Sequence, residues 1–378
     1  MSVAVRAPAK SASTGGATRA GAATPPPAVA FDHEEIVVRH GERSGCCVIV
    51  AIHSTALGPA LGGVRLWHYP ATTDAVADAL RLARGMTMKA ATAGLDLGGG
   101  KGVIHAPGSR PPSGSERTEM LLDFGDLVES LDGRYITAED VGISPRDMVE
   151  IGSRTRHLTG LPTDRGGSGD PSPLTAIGVE AAMRACVRDR FGARGLDGLR
   201  IGVVGLGHVG TSLARLLLEA GAAVVASDIA PGKRALAGRL GLDWVEPGEA
   251  MTGEYDVLAP CALGGGLDAA TVEELRCEIV CGAANNQLAS DGLAERLAER
   301  EILYAPDYVV NAGGLMHVYR EIRGYDEDEA TGLALGIETT VERMLESARR
   351  DATTPLAAAG KLAAERLGMA GAVAQVPH

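Results

Sequence analysis

The chain has 378 residues, of which 45% are hydrophobic, and this supplies enough apolar side chain for two cores of ordinary size. A net charge of −12 disfavours binding to a phosphate backbone, and no apolar run approaches the roughly 20 residues of a membrane span. We therefore expect a soluble, cytoplasmic protein of two domains that binds neither nucleic acid nor membrane.

The first 30 residues are rich in Ala, Gly, Ser, Thr and Pro and contain no acidic residue. This composition predicts a disordered tail over residues 1–30. The cations Arg6, Lys10 and Arg19 also permit a transit peptide, but a flexible tail is the simpler interpretation.

Residues 31–170 are predicted to form a mixed α/β domain. Apolar runs and apolar residues at helical spacing indicate, in chain order, a strand over 48–53, a helix over 74–85, a strand over 102–105 and a helix over about 117–131. The segment Asp170-Pro171-Ser172-Pro173 then interrupts regular structure, and we place the domain boundary there.

Lysine is scarce in this chain, since Arg outnumbers Lys by 31 to 5. Where nearly every cation is Arg, a Lys is favoured at a position whose amine must lose its proton, which a guanidinium does not do. Lys89 and Lys101 lie close together in residues 85–104. This segment is not a phosphate-binding P-loop, because Leu95 replaces the first Gly and Gly102 follows the Lys.

Three glycines at positions 98–100 precede Lys101. They would let the backbone approach a substrate and bring the amine out of apolar surroundings, in which it loses proton affinity and exchanges protons near neutral pH. The alternative is a surface lysine after a flexible turn. Lys89 lies among apolar neighbours, where an unpaired cation is costly, so a substrate carboxylate is its natural partner.

Residues 135–142 form an apolar strand segment that ends in Glu139 and Asp140 and leads into a loop. Strand ends often carry catalytic groups, but either acid is equally suited to capping a helix. The sequence leaves both alternatives open.

Six cysteines lie in hydrophobic stretches of a long chain, which favours buried free thiols over a disulfide framework. Cys277 and Cys281 are close in sequence, but no second pair or nearby His completes the four ligands of a zinc site. No metal site is predicted.

From Ser172 onward helices and strands alternate, which predicts a doubly wound Rossmann domain of parallel strands over residues 171–344. The final helices, over about residues 345–378, are rich in Ala, Leu, Glu and Arg. We expect them to return to the first domain and complete it.

The clearest motif is the strand 201–204 followed by Gly205-Leu206-Gly207-His208-Val209-Gly210. Its three glycines permit a tight turn, close approach of a pyrophosphate and packing of the next helix on the strand. Asp228 ends the following strand, where a carboxylate binds the adenosine ribose hydroxyls. NAD is therefore favoured over NADP, with NADP kept as an alternative because Lys233 and Arg234 are near.

Taken together, these segments resemble the leucine, valine and phenylalanine dehydrogenases, relatives of glutamate dehydrogenase. The resemblance runs from about residue 31 to the C-terminus and rests on residues 58–65, 86–104, 137–142, 170–176, 205–210, 261–265, 282–288 and 304–314. It implies that the first domain binds substrate and forms a homo-oligomer. It also implies oxidative deamination, in which an L-amino acid, NAD⁺ and water give a 2-oxo acid, ammonium and NADH.

By this resemblance Lys101 is the catalytic lysine that assists attack of water on an imine, Asp140 assists proton transfer and amine recognition, and Lys89 holds the α-carboxylate. The two domains are expected to close around a cleft and exclude water from it. The resemblance also assigns residues of the second domain. Asn286 is assigned to the substrate. The residues assigned to the cofactor, which match positions that contact the nicotinamide or its ribose or lie beside the cleft, are Thr175, Ala262, Leu263, Asn285 and Asn311.

Leu61 decides against glutamate as the substrate. The glutamate enzymes have a lysine at this place, and a leucine would leave the side-chain carboxylate of glutamate buried and unpaired. The pocket is predicted to be lined by Leu61, Gly62, Gly63, Ala138, Leu315 and Val318. Ala138 resembles the leucine enzymes and Leu315 the phenylalanine enzymes, so leucine, valine, isoleucine and aromatic substrates stay open.

Two other functions are considered. One is a dehydrogenase of this lineage recruited to biosynthesis with an aromatic oxo acid as substrate. The other is a non-catalytic NAD-binding regulator, which would be expected to have lost Lys89, Lys101 or Asp140, and all three are present.

Overall fold

The computed structural model describes residues 2–6, 32–192, 195–262 and 264–368. The chain divides into two compact units: unit 1 comprises residues 1–87 and 97–158, and unit 2 comprises residues 88–96 and 159–378. Unit 2 therefore begins at Thr159 and not near Asp170, because the segment after Leu158 already packs within unit 2.

Unit 1 contains a mixed sheet, as the sequence predicted. Its strands in the described residues are β1 (Ser2–Arg6), β2 (Glu35–His40), β3 (Cys47–Ser54), β4 (Ala60–Trp67), β5 (Gly98–His105) and β6 (Tyr135–Glu139). They lie in the order β1-β2-β3-β5-β4-β6. β5 pairs antiparallel with β3 and parallel with β4, and β6 pairs parallel with β4.

The helices of this half of the chain are α1 (Thr72–Thr92), whose last residues belong to unit 2, α2 (Gly114–Glu129) and α3 (Pro145–Gly152). Buried alanines of α1 pack with Val103 of β5 and Ile49 of β3. Phe124 of α2 lies on the other side of β5, close to Gly102. Strand β5 is therefore central in the sheet and covered on both faces, so it holds its side chains in fixed positions.

The disordered tail predicted for residues 1–30 needs a correction at its start. Ser2–Arg6 pairs antiparallel with Glu35–Arg39 at the edge of the sheet. The alternating Val3 and Val5 suit a strand, and local composition alone did not reveal this pairing with a distant segment. The rest of the predicted tail lies outside the described residues.

Unit 2 contains a parallel sheet of β7 (Arg200–Val204), β8 (Ala223–Ser227), β9 (Asp243–Trp244), β10 (Glu254–Pro260), β11 (Arg276–Val280) and β12 (Leu303–Tyr304). Their order is β12-β11-β10-β7-β8-β9, and every pairing is parallel. The predicted doubly wound domain is confirmed. In such a sheet, ligands bind at the carboxyl ends of the strands, and here β7 and β10 are neighbours at the centre.

The helices of unit 2 follow a single 3₁₀ turn at Thr163–Arg165 and are α4 (Ser172–Phe191), α5 (His208–Glu219), α6 (Gly232–Leu240), α7 (Ala269–Glu274), α8 (Leu293–Glu299), α9 (Asp307–Val310), α10 (Gly313–Arg323), α11 (Glu327–Leu335), α12 (Ile337–Arg350) and α13 (Pro355–Arg366). None of the described helices is both long and apolar enough to cross a membrane. All six cysteines are free thiols.

The C-terminal helices differ from the prediction that they complete the first domain. They belong to unit 2, where Arg188 of α4 forms an ion pair with Glu338 of α12 at 2.6 Å. Arg366 of α13 contacts Asp96 at 3.0 Å, so these helices do meet a segment from the first half of the chain. That segment, residues 88–96, itself groups with unit 2.

Candidate active site

Lys101 lies in the middle of β5 and is only 6% exposed. Its Nζ donates a hydrogen bond to Asp140 Oδ2 at 2.5 Å. Burial lowers the pKa of Lys101 because the charged amine is desolvated, and the negative charge of Asp140 opposes part of that effect. The alternative of a surface lysine does not hold.

Asp140 follows β6 directly and is not a helix cap. The next helix, α3, is capped by Ser144, whose side chain accepts a hydrogen bond from the backbone N–H of Asp147. Burial alone would raise the pKa of Asp140, but the charge and hydrogen bond of Lys101, with the charge of Arg65, together lower it. Asp140 is therefore held as a carboxylate against the amine.

Arg65 is a third member of this site that the sequence did not single out. It lies on β4, and its Nε donates to Asp140 Oδ2 at 3.1 Å. Its other end donates to Asp78 Oδ2 of α1 at 2.9 Å. Arg65 lies two residues after Gly63 and therefore on the same face of the strand, which is the one sequence feature that could have identified it. Because the chain has 31 arginines, this position alone did not indicate a functional role.

The glycines before Lys101 do not have the role predicted for them. They belong to β5, and a Cβ at Gly99 would lie 2.1 Å from the backbone nitrogen of Thr87, whereas a Cβ at Gly100 would lie 2.7 Å from the ring of Tyr135. The space beside them is filled by the protein itself. These glycines admit neighbouring chain segments, not a substrate, and their packing fixes the strand that carries Lys101.

Leu61 and Ala138 lie on the face of the sheet that carries Lys101. The register pairs Leu61 with Gly99 and Gly63 with Ala138, and alternate residues of a strand share a face. Leu61 is 2% exposed, and Ala138 is also buried. Gly62 allows β4 and β5 to lie close together, since a Cβ there would be 1.7 Å from a backbone oxygen of β5. The lysine therefore has apolar neighbours on its own face.

Lys89 lies in the part of α1 that belongs to unit 2. Its Nζ donates to Asn285 Oδ1 at 3.1 Å, and Asn311 Nδ2 donates to the same oxygen at 2.9 Å. Asp307, which the sequence did not single out, accepts a hydrogen bond from the backbone N–H of Asn286. Burial raises the pKa of Asp307, and the charge of Lys89 opposes this. The side chains of Asn285 and Asn311 thus form one hydrogen-bond network with the amine of Lys89, whereas Asn286 contacts Asp307 through its backbone.

The glycine turn of unit 2 has the local geometry that its motif predicts. Gly205 has a φ of +109°, and a Cβ at Gly210 would lie 1.9 Å from the Gly205 carbonyl oxygen, so both positions need glycine. Gly207 caps the N-terminus of α5, and a Cβ there would have no atom within 4 Å. The open space beside the free N–H groups of a helix start suits a phosphate.

Asp228 follows β8, and its two carboxylate oxygens accept the backbone N–H groups of Leu206 and Ala230, each at 2.8 Å. Lys233 donates to the carbonyl oxygen of Leu206 at 2.6 Å, so its amine is engaged with the turn. His208 is exposed, and its ring contacts Asp170 at 3.1 Å. Turn, helix start and carboxylate therefore fit a dinucleotide.

The remaining predicted residues of unit 2 occupy separate elements. Thr175 of α4 donates its hydroxyl to the carbonyl of Pro171 at 3.0 Å, and Ala262 lies beside the turn, 2.7 Å from where a Cβ of Gly205 would be. Leu315 is buried and Val318 half-buried on α10. Leu263 lies outside the described residues.

A parallel sheet with an open glycine turn and a carboxylate after the next strand fits a nicotinamide dinucleotide. A buried lysine paired with an aspartate suits proton transfer at an amine. The two features together define an amino acid dehydrogenase.

Comparison with known proteins agrees with that class. Residues 29–157 match the model of the Glu/Leu/Phe/Val dehydrogenase dimerisation domain, and residues 233–371 match the glutamate/leucine/phenylalanine/valine dehydrogenase model. The chain belongs to the Glu/Leu/Phe/Val dehydrogenase family.

Relatives cover almost the whole chain. A leucine dehydrogenase of Thermoactinomyces intermedius is 42% identical over 90% of this chain and 92% of its own length. A valine dehydrogenase of Streptomyces virginiae is 45% identical over 89% and 94%. The crystal structure of L-tryptophan dehydrogenase from Nostoc punctiforme aligns with a TM-score of 0.78 at 40% identity, covering 89% of this chain and 96% of that one.

Proposed function

We propose that the protein catalyses the NAD-dependent, reversible oxidative deamination of an apolar, branched-chain L-amino acid. The observation that carries this proposal is the buried Lys101, paired with the half-buried Asp140 on a sheet face that both share with Leu61 and Ala138. A desolvated amine beside a carboxylate provides proton transfer. Apolar neighbours favour a substrate whose side chain carries no charge.

NAD would be held by the N-terminus of α5, with Gly207 admitting the pyrophosphate and Asp228 accepting the ribose hydroxyls. Each oxygen of Asp228 already accepts one N–H and retains lone pairs for a hydroxyl. A 2′-phosphate would meet the negative charge of Asp228, which favours NAD over NADP. When bound, NAD⁺ supplies the acceptor for the hydride that leaves the substrate's α-carbon.

Lys101 would act as a base in the hydrolytic half of the reaction. Its neutral amine takes a proton from water as the water oxygen attacks the imine carbon, and passes that proton to the substrate nitrogen. The C–N bond then breaks while the new hydroxyl gives its proton back to the amine, which leaves the 2-oxo acid and ammonia, and the ammonia takes that proton to become ammonium. The carboxylate of Asp140 stabilises the lysine while it carries the proton. Lys89 is proposed to pair with the substrate's α-carboxylate.

The side-chain preference is proposed from Leu61 and Ala138, with Leu315 and Val318 as further predicted contacts. The names of the leucine and valine relatives support a branched-chain substrate. The tryptophan dehydrogenase structure favours a second candidate, an aromatic amino acid, because it shares 40% identity over nearly the whole chain. We also infer that unit 1 forms a homo-oligomer, because the family model that it matches is described as a dimerisation domain.

The test is initial-rate NADH formation with leucine, valine, isoleucine, phenylalanine, tryptophan and glutamate, each with NAD⁺ and with NADP⁺. We expect a branched-chain substrate with NAD⁺ to give the highest kcat/KM. Tryptophan or phenylalanine as the best substrate would select the second candidate. Glutamate as the best substrate would contradict the role of Leu61, and no turnover with any of them would reject the proposal.

A further inference from the structure

Arg65 joins two carboxylates that lie far apart in the sequence. Its Nε donates to Asp140 Oδ2, the same oxygen that receives the amine of Lys101, and its terminal nitrogen donates to Asp78 Oδ2. The side chain is mostly buried, with 22% of it exposed. A guanidinium donates at fixed angles, so binding at both ends fixes where the Asp140 carboxylate lies.

Asp78 is itself held by several donors. Besides Arg65 it accepts the hydroxyl of Tyr69 at 2.7 Å and the guanidinium of Arg81 at 2.8 Å. Because Asp78 projects from α1 and Arg65 from β4, the pair connects the helix that covers this face to the strand beside Lys101. Asp78 thus anchors the far end of Arg65.

The charges of this cluster alternate from the amine outward: Lys101, Asp140, Arg65, Asp78. The charged groups that act on Lys101 from the elements packed on it are Asp140 after β6, Arg65 on β4 and Asp78 on α1, and Asp78 also contacts Arg81 and Tyr69. On β3, Ala51 pairs with Lys101, and the titratable His53 on the same face contacts Thr87 of α1. The positive charge of Arg65 lowers the pKa of Lys101, and the negative charge of Asp78 raises it. The two residues therefore act on the amine with opposite sign.

We propose that Arg65 and Asp78 are positioning residues for the deamination: Arg65 fixes the Asp140 carboxylate against Lys101, and Asp78 fixes Arg65. The inference rests on the function proposed above. Its distinctive consequence is that the two neighbours set the pH range of the reaction in opposite directions.

The first test is the pH dependence of kcat for Arg65→Gln and Asp78→Asn. Arg65→Gln is expected to move the ascending limb to higher pH and Asp78→Asn to lower pH, each by roughly 0.5 to 1 unit. Both variants are expected to lower kcat by about 10- to 100-fold, since Asp140 loses its fixed position, with the KM for NAD⁺ within about twofold. Arg65→Lys keeps the charge and is expected to restore the pH profile without restoring kcat.

The matched control is Arg117→Gln. Arg117 of unit 1 also pairs with a carboxylate, Asp147, at 2.7 and 2.8 Å, and it is not among the charges that act on Lys101, so its loss removes the same charge elsewhere. The pH profile of this variant is expected to equal that of the wild type. An equal shift in the control would assign the effect to net charge and overturn the proposal.

A second measurement is independent of turnover. The chain has five lysines, so ¹³C labelling at lysine Cε followed by NMR titration reports the pKa of Lys101, with Lys101→Met used for assignment. We expect the pKa of Lys101 to rise in Arg65→Gln and to fall in Asp78→Asn. Shifts in the same direction, or none, would overturn the proposal. If the pKa of Lys101 shifts in opposite directions in the two variants but the protein turns over no amino acid, the positioning by Arg65 and Asp78 is supported and only the proposed function is rejected.

Discussion

Two glycine-rich segments of this chain differ in what lies beside their glycines. The glycines at 98–100 lie in β5, with Thr87 on one side and Tyr135 on the other in the space that side chains would fill. Gly207 lies at the start of α5 with open space beside it. The closed segment brings parts of the protein together and fixes Lys101, whereas the open segment leaves room for a ligand.

This difference shows that a glycine run by itself does not identify a ligand site. What separates the two segments is whether a Cβ would meet protein atoms, and that depends on tertiary packing. The same Gly→Ala substitution should therefore lower stability in the closed segment and weaken cofactor binding in the open one.

The largest effect is expected for Gly99→Ala. The new Cβ would lie 2.1 Å from the Thr87 nitrogen and 2.6 Å from the Ala83 carbonyl oxygen, so backbone of α1 would have to move. Overpacking of this kind should destabilise unit 1 by about 3 kcal/mol and lower the apparent Tm by on the order of 10 °C, measured by thermal unfolding. An unchanged Tm would mean that the space beside Gly99 is not filled by protein atoms.

A second prediction concerns His53, which is hydrogen-bonded to Thr87 Oγ1 at 2.9 Å beside the closed segment. Its side chain is 10% exposed, and burial lowers its pKa from 6.5 to about 4. Because the unfolded chain binds the proton first, stability is present above pH 6.5 and is lost as the pH falls towards 4. The loss attributable to this group is roughly 3 kcal/mol.

The measurement is denaturant unfolding of wild type and His53→Gln at several pH values across that window. The wild type should lose more stability on acidification than the variant, since carboxylates titrate in both. Equal pH slopes would contradict the buried neutral state of His53.

The smallest effect on stability is expected for Gly207→Ala. Its Cβ would meet no atom within 4 Å, and its φ of −66° suits alanine, so the Tm should stay within about 2 °C of wild type. The methyl group would instead occupy space proposed for the pyrophosphate and raise the Kd for NADH about tenfold, measured by fluorescence titration. An unchanged Kd for NADH would show that the cofactor does not bind at this turn.

The sequence predicted what depends on local pattern. The dinucleotide turn is a strand, a glycine motif and a helix contiguous along the chain, and its geometry agrees with the motif. The alternation of helices and strands likewise predicted the parallel sheet. The resemblance assigned roles in the reaction to both Lys101 and Asp140, and the structure shows that the two side chains pair.

What the sequence did not predict depends on distant contacts. Arg65 reaches Asp140 across 75 positions, and one arginine among many carries no local signal. Glycine has low strand propensity, so the sequence predicts a strand from Gly102, whereas β5 begins at Gly98. Asp307 contacts the backbone of Asn286 through a turn that periodicity does not describe.

The proposed mechanism has Lys101 perform the amine chemistry on the closely packed strand β5 while a separate open turn binds the dinucleotide. Its most direct test is Lys101→Arg, assayed for amino acid oxidation and, by fluorescence, for NADH binding. An arginine keeps the positive charge but does not release its proton, so turnover should fall by at least about 1,000-fold while the Kd for NADH stays within about twofold. Substantial remaining turnover would contradict the claim and remove Lys101 from the mechanism.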